Sequence, residues 1–151
     1  MTRSADRLPP YRQSLAGTLL AAREAVMAPI RPMLREADVT EQQWRVLRVL
    51  NDQGALDPTS LAQAALLYPP SVTRILKELA DRGLVARESD PGDRRRSIIT
   101  LTAGGTALLR DTAQHTAATL RAYRESFGAE RLDALMDELR AFIAAIGSGR
   151  S

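Results

Sequence analysis

The densest chemistry in this sequence is Arg94-Arg95-Arg96, three consecutive guanidinium groups in the stretch Asp90-Pro91-Gly92-Asp93-Arg94-Arg95-Arg96. A guanidinium is a planar fork of donors that matches phosphate oxygens and the O6 and N7 edge of guanine. Three together on an exposed tip make a positive finger that suits a narrow minor groove or the phosphates beside it. A solvated charge run has the same composition, so the triplet alone leaves both readings open. About twenty residues upstream, Ser71, Thr73, Arg74 and Lys77 share the polar face of a helical pattern. Ser and Thr hydroxyls both donate and accept, and Arg74 can grip guanine in a major groove wide enough for a helix. A helix N-terminus would add backbone N–H groups for a phosphate. An ordinary solvated helix face is the alternative. Order tips the balance, because the arginine run follows this helix directly, where a wing would flank the groove being read. Asp90 and Asp93 have the wrong sign for DNA, and Asp93 is expected to pair with an arginine and brace the loop.

Other chemistries lack their parts. There is no cysteine in the 151 residues, which excludes disulfides, thiolate catalysis and thiol redox sensing and removes the soft ligands of zinc. The single histidine, His115, has no carboxylate cluster nearby in sequence and reads as structural, with no metal, cofactor or catalytic residue assigned. An enzyme is not expected. The formal net charge of +3 permits nucleic-acid binding without requiring it. Twenty of the 21 basic residues are arginine, which a GC-rich genome would also produce. No stretch of about 18 apolar residues could span a bilayer, and no apolar leader precedes the charged start, so a cytoplasmic protein without a membrane partner is expected.

The elements that must position these residues follow from periodicity. Residues 1–10 are polar, with Pro9 and Pro10, and read as a flexible arm. Leu15, Leu19, Ala22, Val26 and Ile30 recur at spacings of three and four, predicting a helix with one buried stripe that Pro29 and Pro32 end or kink. Thr40 and Gln43 form a capping box for the next helix, with Val39 stapled to Trp44 and a buried side of Val46, Leu47, Val49 and Leu50. Asp57-Pro58 opens a short helix to about Leu66. After Leu67-Tyr68-Pro69, Pro70 opens a third helix that Gly83 ends, with Val72, Ile75, Leu76 and Leu79 on one face. Leu84 to Ser89 and Ser97 to Leu101 read as two strands joined by the arginine tip. Two further helices meet near Ser126 to Gly128. The last has a seam of Leu132, Leu135, Met136, Leu139, Phe142, Ile143 and Ile146 that needs a partner helix. The fold class is mainly α with a small β-hairpin (α+β): a winged helix-turn-helix at 39–101, between helical segments 11–38 and 102–147.

The run Asp93 to Gly105 (DRRRSIITLTAGG) resembles the wing signature of the MarR family of bacterial transcriptional regulators, D-x-R, five residues, then L-T-x-x-G. Pro70 to Leu76 (PSVTRIL) and Asp81 to Val85 (DRGLV) resemble the family's recognition helix and its exit into the wing. Leu19 to Met27 and Thr40 to Arg48 are similar to the branch that represses homoprotocatechuate and hydroxyphenylacetate degradation genes. The resemblance implies that Arg95 enters the minor groove, that Arg94 and Arg96 contact phosphates, and that Pro70, Ser71, Thr73 and Arg74 approach bases. It implies a homodimer through the first and last helices, bound to a pseudo-palindromic operator of double-stranded DNA. It also implies an aromatic acid effector near Arg23, Gln43, Trp44 and Arg45, an arginine beside an aromatic ring being suited to an aromatic carboxylate. Trp44 as a staple and Arg23 as an interhelical ion pair are the competing readings. The rival function is a winged helix turned into a protein-interaction module, in which the basic wing would be expected to disappear.

Overall fold

The computed structural model describes residues 8–147, so most of the arm read at residues 1–10 lies outside the described residues. A 3₁₀ turn, Tyr11–Gln13, leads into α1 (Leu15–Met27), α2 (Arg31–Glu36), α3 (Glu41–Gln53), α4 (Pro58–Ala64) and α5 (Pro69–Asp81). Strands β1 (Val85–Asp90) and β2 (Asp93–Leu101) form an antiparallel hairpin, followed by α6 (Ala103–Phe127) and α7 (Ala129–Gly147). The described residues fall into two units that part after Thr112, within α6.

The first unit holds the core. Thr40 Oγ1 accepts from the Gln43 backbone and Gln43 Oε1 from the Thr40 backbone, both at 3.1 Å, so the capping box starts α3 where its sequence predicts. Val39 and Trp44 are both buried in the same cluster, as a staple requires. Val46, Leu47, Leu61, Leu76 and Leu79 meet there, with Met33 and Leu34 of α2 added. Asp57 caps α4 through the backbone N–H groups of Thr59 and Ser60, and Pro58 takes a first-turn position where its missing N–H is not needed.

Helix α5 begins one residue earlier than expected, with Pro69 and Pro70 both in its first turn. At its far end Leu84 N donates to Leu79 O and Gly83 N to Ala80 O, the paired bonds of a Schellman stop, with Gly83 at φ +70°. The hairpin docks on the core through a two-way bridge between Leu56 and Ile99, and Ile99 is fully buried. Thr102 then turns the chain into α6: its hydroxyl donates to Gly83 O at 2.6 Å and accepts from Gly105 N at 3.1 Å. A Cβ at position 105 would stand 2.3 Å from Leu84 O and 2.5 Å from Leu101 Cδ1, so only glycine fits the close of the L-T-x-x-G run.

The stripe of α1 departs from expectation. Leu15, Leu19, Ala22 and Val26 are exposed and only Ile30 is buried in the single chain, since among the described residues no element buries that face. In the second unit, α7 has no buried residue: Leu132, Leu139 and Phe142 are half-exposed, and Leu135, Met136, Ile143 and Ile146 are open. Among the described residues no helix is long and apolar enough to cross a membrane.

Candidate nucleic-acid interface

Helix α5 buries Val72, Ile75, Leu76 and Leu79, which leaves Thr73, Arg74 and Lys77 outward and Ser71 half-buried. Arg74 is 83% exposed; its Nε donates to Glu78 Oε1 at 2.8 Å, while Lys77 Nζ donates to Asp81 Oδ2 at 2.8 Å. The helix start is poorer in free donors than expected. Pro69 and Pro70 have no N–H, and Ser71 N is spent on Tyr68 O at 2.9 Å, so the first turn is a weak phosphate cradle.

The wing is tighter than its sequence suggests. Only Pro91 and Gly92 form the turn, and the arginines belong to β2 instead of a loop. Val85 faces Leu101 and Ser89 faces Ser97 in even register, after which the register shifts and Asp90 faces Asp93. Arg94, Arg95 and Arg96 are therefore the β2 residues with no opposite number on β1, all three exposed. Asp93 braces this step through the backbone, Oδ1 accepting from Arg95 N at 3.0 Å, where a guanidinium pair had been expected. Asp90 Oδ1 accepts from Gly92 N at 2.9 Å in the same manner. Short Asx turns of this kind hold a loop without using up its side-chain cations. Arg96 lies 3.7 Å from Asp57 and leans toward the α4 cap. The Asp57 carboxyl is held below the usual aspartate range, first by the Ser60 hydroxyl and backbone and to a lesser degree by Arg96. Among the described residues the guanidiniums of Arg94 and Arg95 have no ion-pair partner.

A second feature lies beside α3. A cavity of about 420 Å³ is lined by Arg23 and Met27 of α1, by Glu41, Trp44, Arg45, Arg48, Val49 and Asp52 of α3, and by Leu66. Trp44 is 8% exposed, and its indole Nε1–H is buried with no acceptor among the described residues. The Arg48 guanidinium sits 5.1 Å from the Trp44 ring centroid. At the mouth, Glu41 takes Arg23 Nη2 at 2.7 Å and Arg31 Nε at 2.6 Å, and Arg31 also reaches Glu24 at 2.8 Å. Hydrogen bonds from Arg23 first and Arg31 second hold the Glu41 carboxyl below the usual glutamate range. The same contacts raise Arg31, Glu41 contributing more than Glu24.

The family model described as MarR family matches residues 39–97, from the start of α3 into the wing. The homoprotocatechuate degradative operon repressor of Escherichia coli is 37% identical over 91% of this chain and 92% of its own length. The HTH-type transcriptional regulator FarR of Neisseria gonorrhoeae is 38% identical over 85% of this chain and 87% of its own. The crystal structure of NadR in complex with 4-hydroxyphenylacetate superposes with a TM-score of 0.78 at 35% identity, covering 94% of this chain and 97% of that one. The chain belongs to the MarR family. It is a DNA-binding transcriptional regulator of winged-helix fold.

Within this MarR-family chain the sequence-derived residues divide three ways. Thr73, Arg74 and Lys77 share the outer face of α5 with Ser71 half-buried beside them, and Arg94 and Arg95 stand on the wing beyond it. Arg23, Trp44 and Arg45 do line one cavity, although Arg23 also makes the ion pair foreseen as its alternative. Arg45 Nη1 is turned to Ala65 O and Leu66 O, at 3.1 and 3.3 Å, where it closes the end of α4. Gln43 stands apart from them: it lines none of this cavity, the capping box uses its carbonyl, and its Nε2 donates to Glu78 Oε2 at 2.9 Å. Sequence reasoning missed Arg48, Glu41 and Arg31. Arg48 had a signal, four residues after Trp44 and so on the same helix face; the Arg31–Glu41 pair depends on how α2 meets α3 and had none.

Proposed function

We propose that the chain acts as a cytoplasmic homodimeric repressor that holds a pseudo-palindromic operator and lets it go when a small aromatic or phenolic acid binds beside Trp44. The DNA reading is carried by Arg94 and Arg95, exposed and unpaired at the step in β2 immediately after the polar face of α5. On this reading Pro70, Ser71, Thr73, Arg74 and Lys77 approach the major groove, Arg95 enters the minor groove, and Arg94 meets phosphate. Arg96, drawn toward Asp57, divides its charge between the backbone of DNA and the α4 cap. Dimerisation falls to the apolar faces of the segments 11–38 and 102–147, with half-sites about 10 bp apart centre to centre. No catalytic role is proposed.

The effector reading rests on the orphaned Trp44 Nε1–H, since a buried donor without an acceptor costs free energy that a ligand oxygen would recover. Arg23 and Arg48 offer charge for a carboxylate, and the Trp44 ring and Met27 offer apolar surface. NadR, bound to 4-hydroxyphenylacetate, supports the same ligand class. Ligand and operator then oppose each other with a coupling of about 1–3 kcal/mol.

A gel-shift titration over a range of salt tests the DNA half. Arg95→Ala is expected to weaken operator binding and to flatten the log–log salt slope by about one unit; unchanged affinity refutes the wing assignment. A thermal-shift screen of hydroxyphenylacetates tests the effector half, with stabilisation by a bound acid expected to disappear in Trp44→Phe. No stabilisation by any member of that class counts against it.

A further inference from the structure

Two ion pairs of the same spacing run along the outer face of α5, Arg74–Glu78 and Lys77–Asp81, each 2.8 Å long. They differ in what stands behind the acid. Among the described residues Asp81 accepts from Lys77 alone, on a helix face open to solvent. Glu78 is held on both oxygens: Oε1 takes Arg74 Nε, and Oε2 takes Gln43 Nε2 at 2.9 Å. Gln43 is 7% exposed and is itself locked by its two capping bonds with Thr40. The chain of bonds therefore runs from the buried start of α3, across to Glu78, and out to the guanidinium of Arg74.

An exposed pair four residues apart ordinarily stabilises little, because two flexible chains must be ordered for one contact. Here the acid is ordered already. Arg74 engages Glu78 through Nε, which leaves both terminal nitrogens, Nη1 and Nη2, at the outer end of an 83% exposed side chain. Those two nitrogens are the pair that grips O6 and N7 of guanine. We propose that Glu78, fixed by Gln43, is a positioning residue that aims Arg74 and so sets a guanine preference in the operator. The inference rests on α5 being the helix that reads bases.

The two roles of an acid on this face move binding in opposite directions. Removing the Glu78 charge lessens repulsion from phosphates and strengthens binding to any duplex. Releasing Arg74 lowers the preference for guanine over other bases. A purely structural residue would lower both.

The test is selection from a randomised 30 bp duplex pool by the full-length wild-type protein. Titrations then follow on the selected duplex and on copies in which each conserved guanine is replaced by 7-deazaguanine, which lacks N7. The wild type is expected to lose about tenfold or more at one guanine per half-site, and Arg74→Ala to abolish that difference. Glu78→Gln and Glu78→Asp are expected to reduce it at least threefold while binding of an unselected duplex holds steady or, for Glu78→Gln, rises. In the Arg74→Ala background, Glu78→Gln should remove no further discrimination. Full guanine preference in both Glu78 variants overturns the proposal and leaves the recognition helix standing. A wild-type pool with no enriched sequence, or a preference unchanged in Arg74→Ala, overturns the proposal together with the reading of α5 beneath it.

Discussion

Helices α5 and α7 have equally regular apolar stripes, and only one of them is covered. Val72, Ile75, Leu76 and Leu79 of α5 are at most 6% exposed, whereas Ile143 and Ile146 of α7 are 64% and 58% exposed. The same period of three and four residues thus meets two fates. The face of α5 completes a core within one chain, and the face of α7 stays uncovered among the described residues, where the proposed dimer would place a second molecule. A periodic stripe states that a face needs cover without stating whose atoms provide it. The difference also separates two kinds of stability, one intrinsic to the chain and one dependent on its concentration.

The largest expected effect is on the covered stripe. Leu79 is fully buried, so Leu79→Ala removes its transfer free energy and leaves a cavity, at a cost of about 2–5 kcal/mol. Urea denaturation followed by circular dichroism at fixed protein concentration measures it, and operator binding should be lost with the fold. A cost under about 1 kcal/mol would mean that α5 is not packed as described.

Ile143→Asp addresses the bare stripe and should separate folding from assembly. A charge on an already exposed position adds no burial cost within the chain, so the far-ultraviolet spectrum should be retained. Sedimentation equilibrium is expected to show the mass falling from dimer to monomer, and operator affinity to fall at least tenfold as two half-sites cease to be held together. An unchanged mass would remove α7 from the dimer interface and weaken the comparison with α5.

What could be read from sequence follows the same division. The Thr40 capping box, the Asp57-Pro58 opening, the Gly83 stop and the stripe of α5 are local patterns, and each stands within a residue of its expected place. The wing was legible in identity but not in form. Nothing in Asp90 to Arg96 states that the register shifts at Asp90 and draws the arginines into β2, since a strand's register is decided across the hairpin. The cover of the α1 stripe was not legible, because periodicity states that a face needs burial and cannot name the partner. For Gln43 the carbonyl's capping role was legible, whereas its amide's partner, Glu78, lies 35 residues away and was not.

The smallest expected effect concerns the joint between the bare helix α1 and the packed core. Arg23 and Glu24 of α1, Arg31 of α2 and Glu41 of α3 form one cluster, partly open to water. Arg23 foremost, then Arg31, depresses the Glu41 carboxyl in the folded chain, so its stabilising contribution is present above the unfolded glutamate range and is lost as pH falls through the lower folded value. Glu41→Gln should therefore be less stable than the wild type at pH 7, by no more than about 1 kcal/mol because the pairs are solvated. The deficit should stay level down to about pH 5 and shrink below about pH 4. Paired urea titrations of the two proteins across that range measure the difference. A deficit that persists undiminished at pH 3 would show that Glu41 acts through packing and not through its charge, and α1 would then be joined to the core by shape alone.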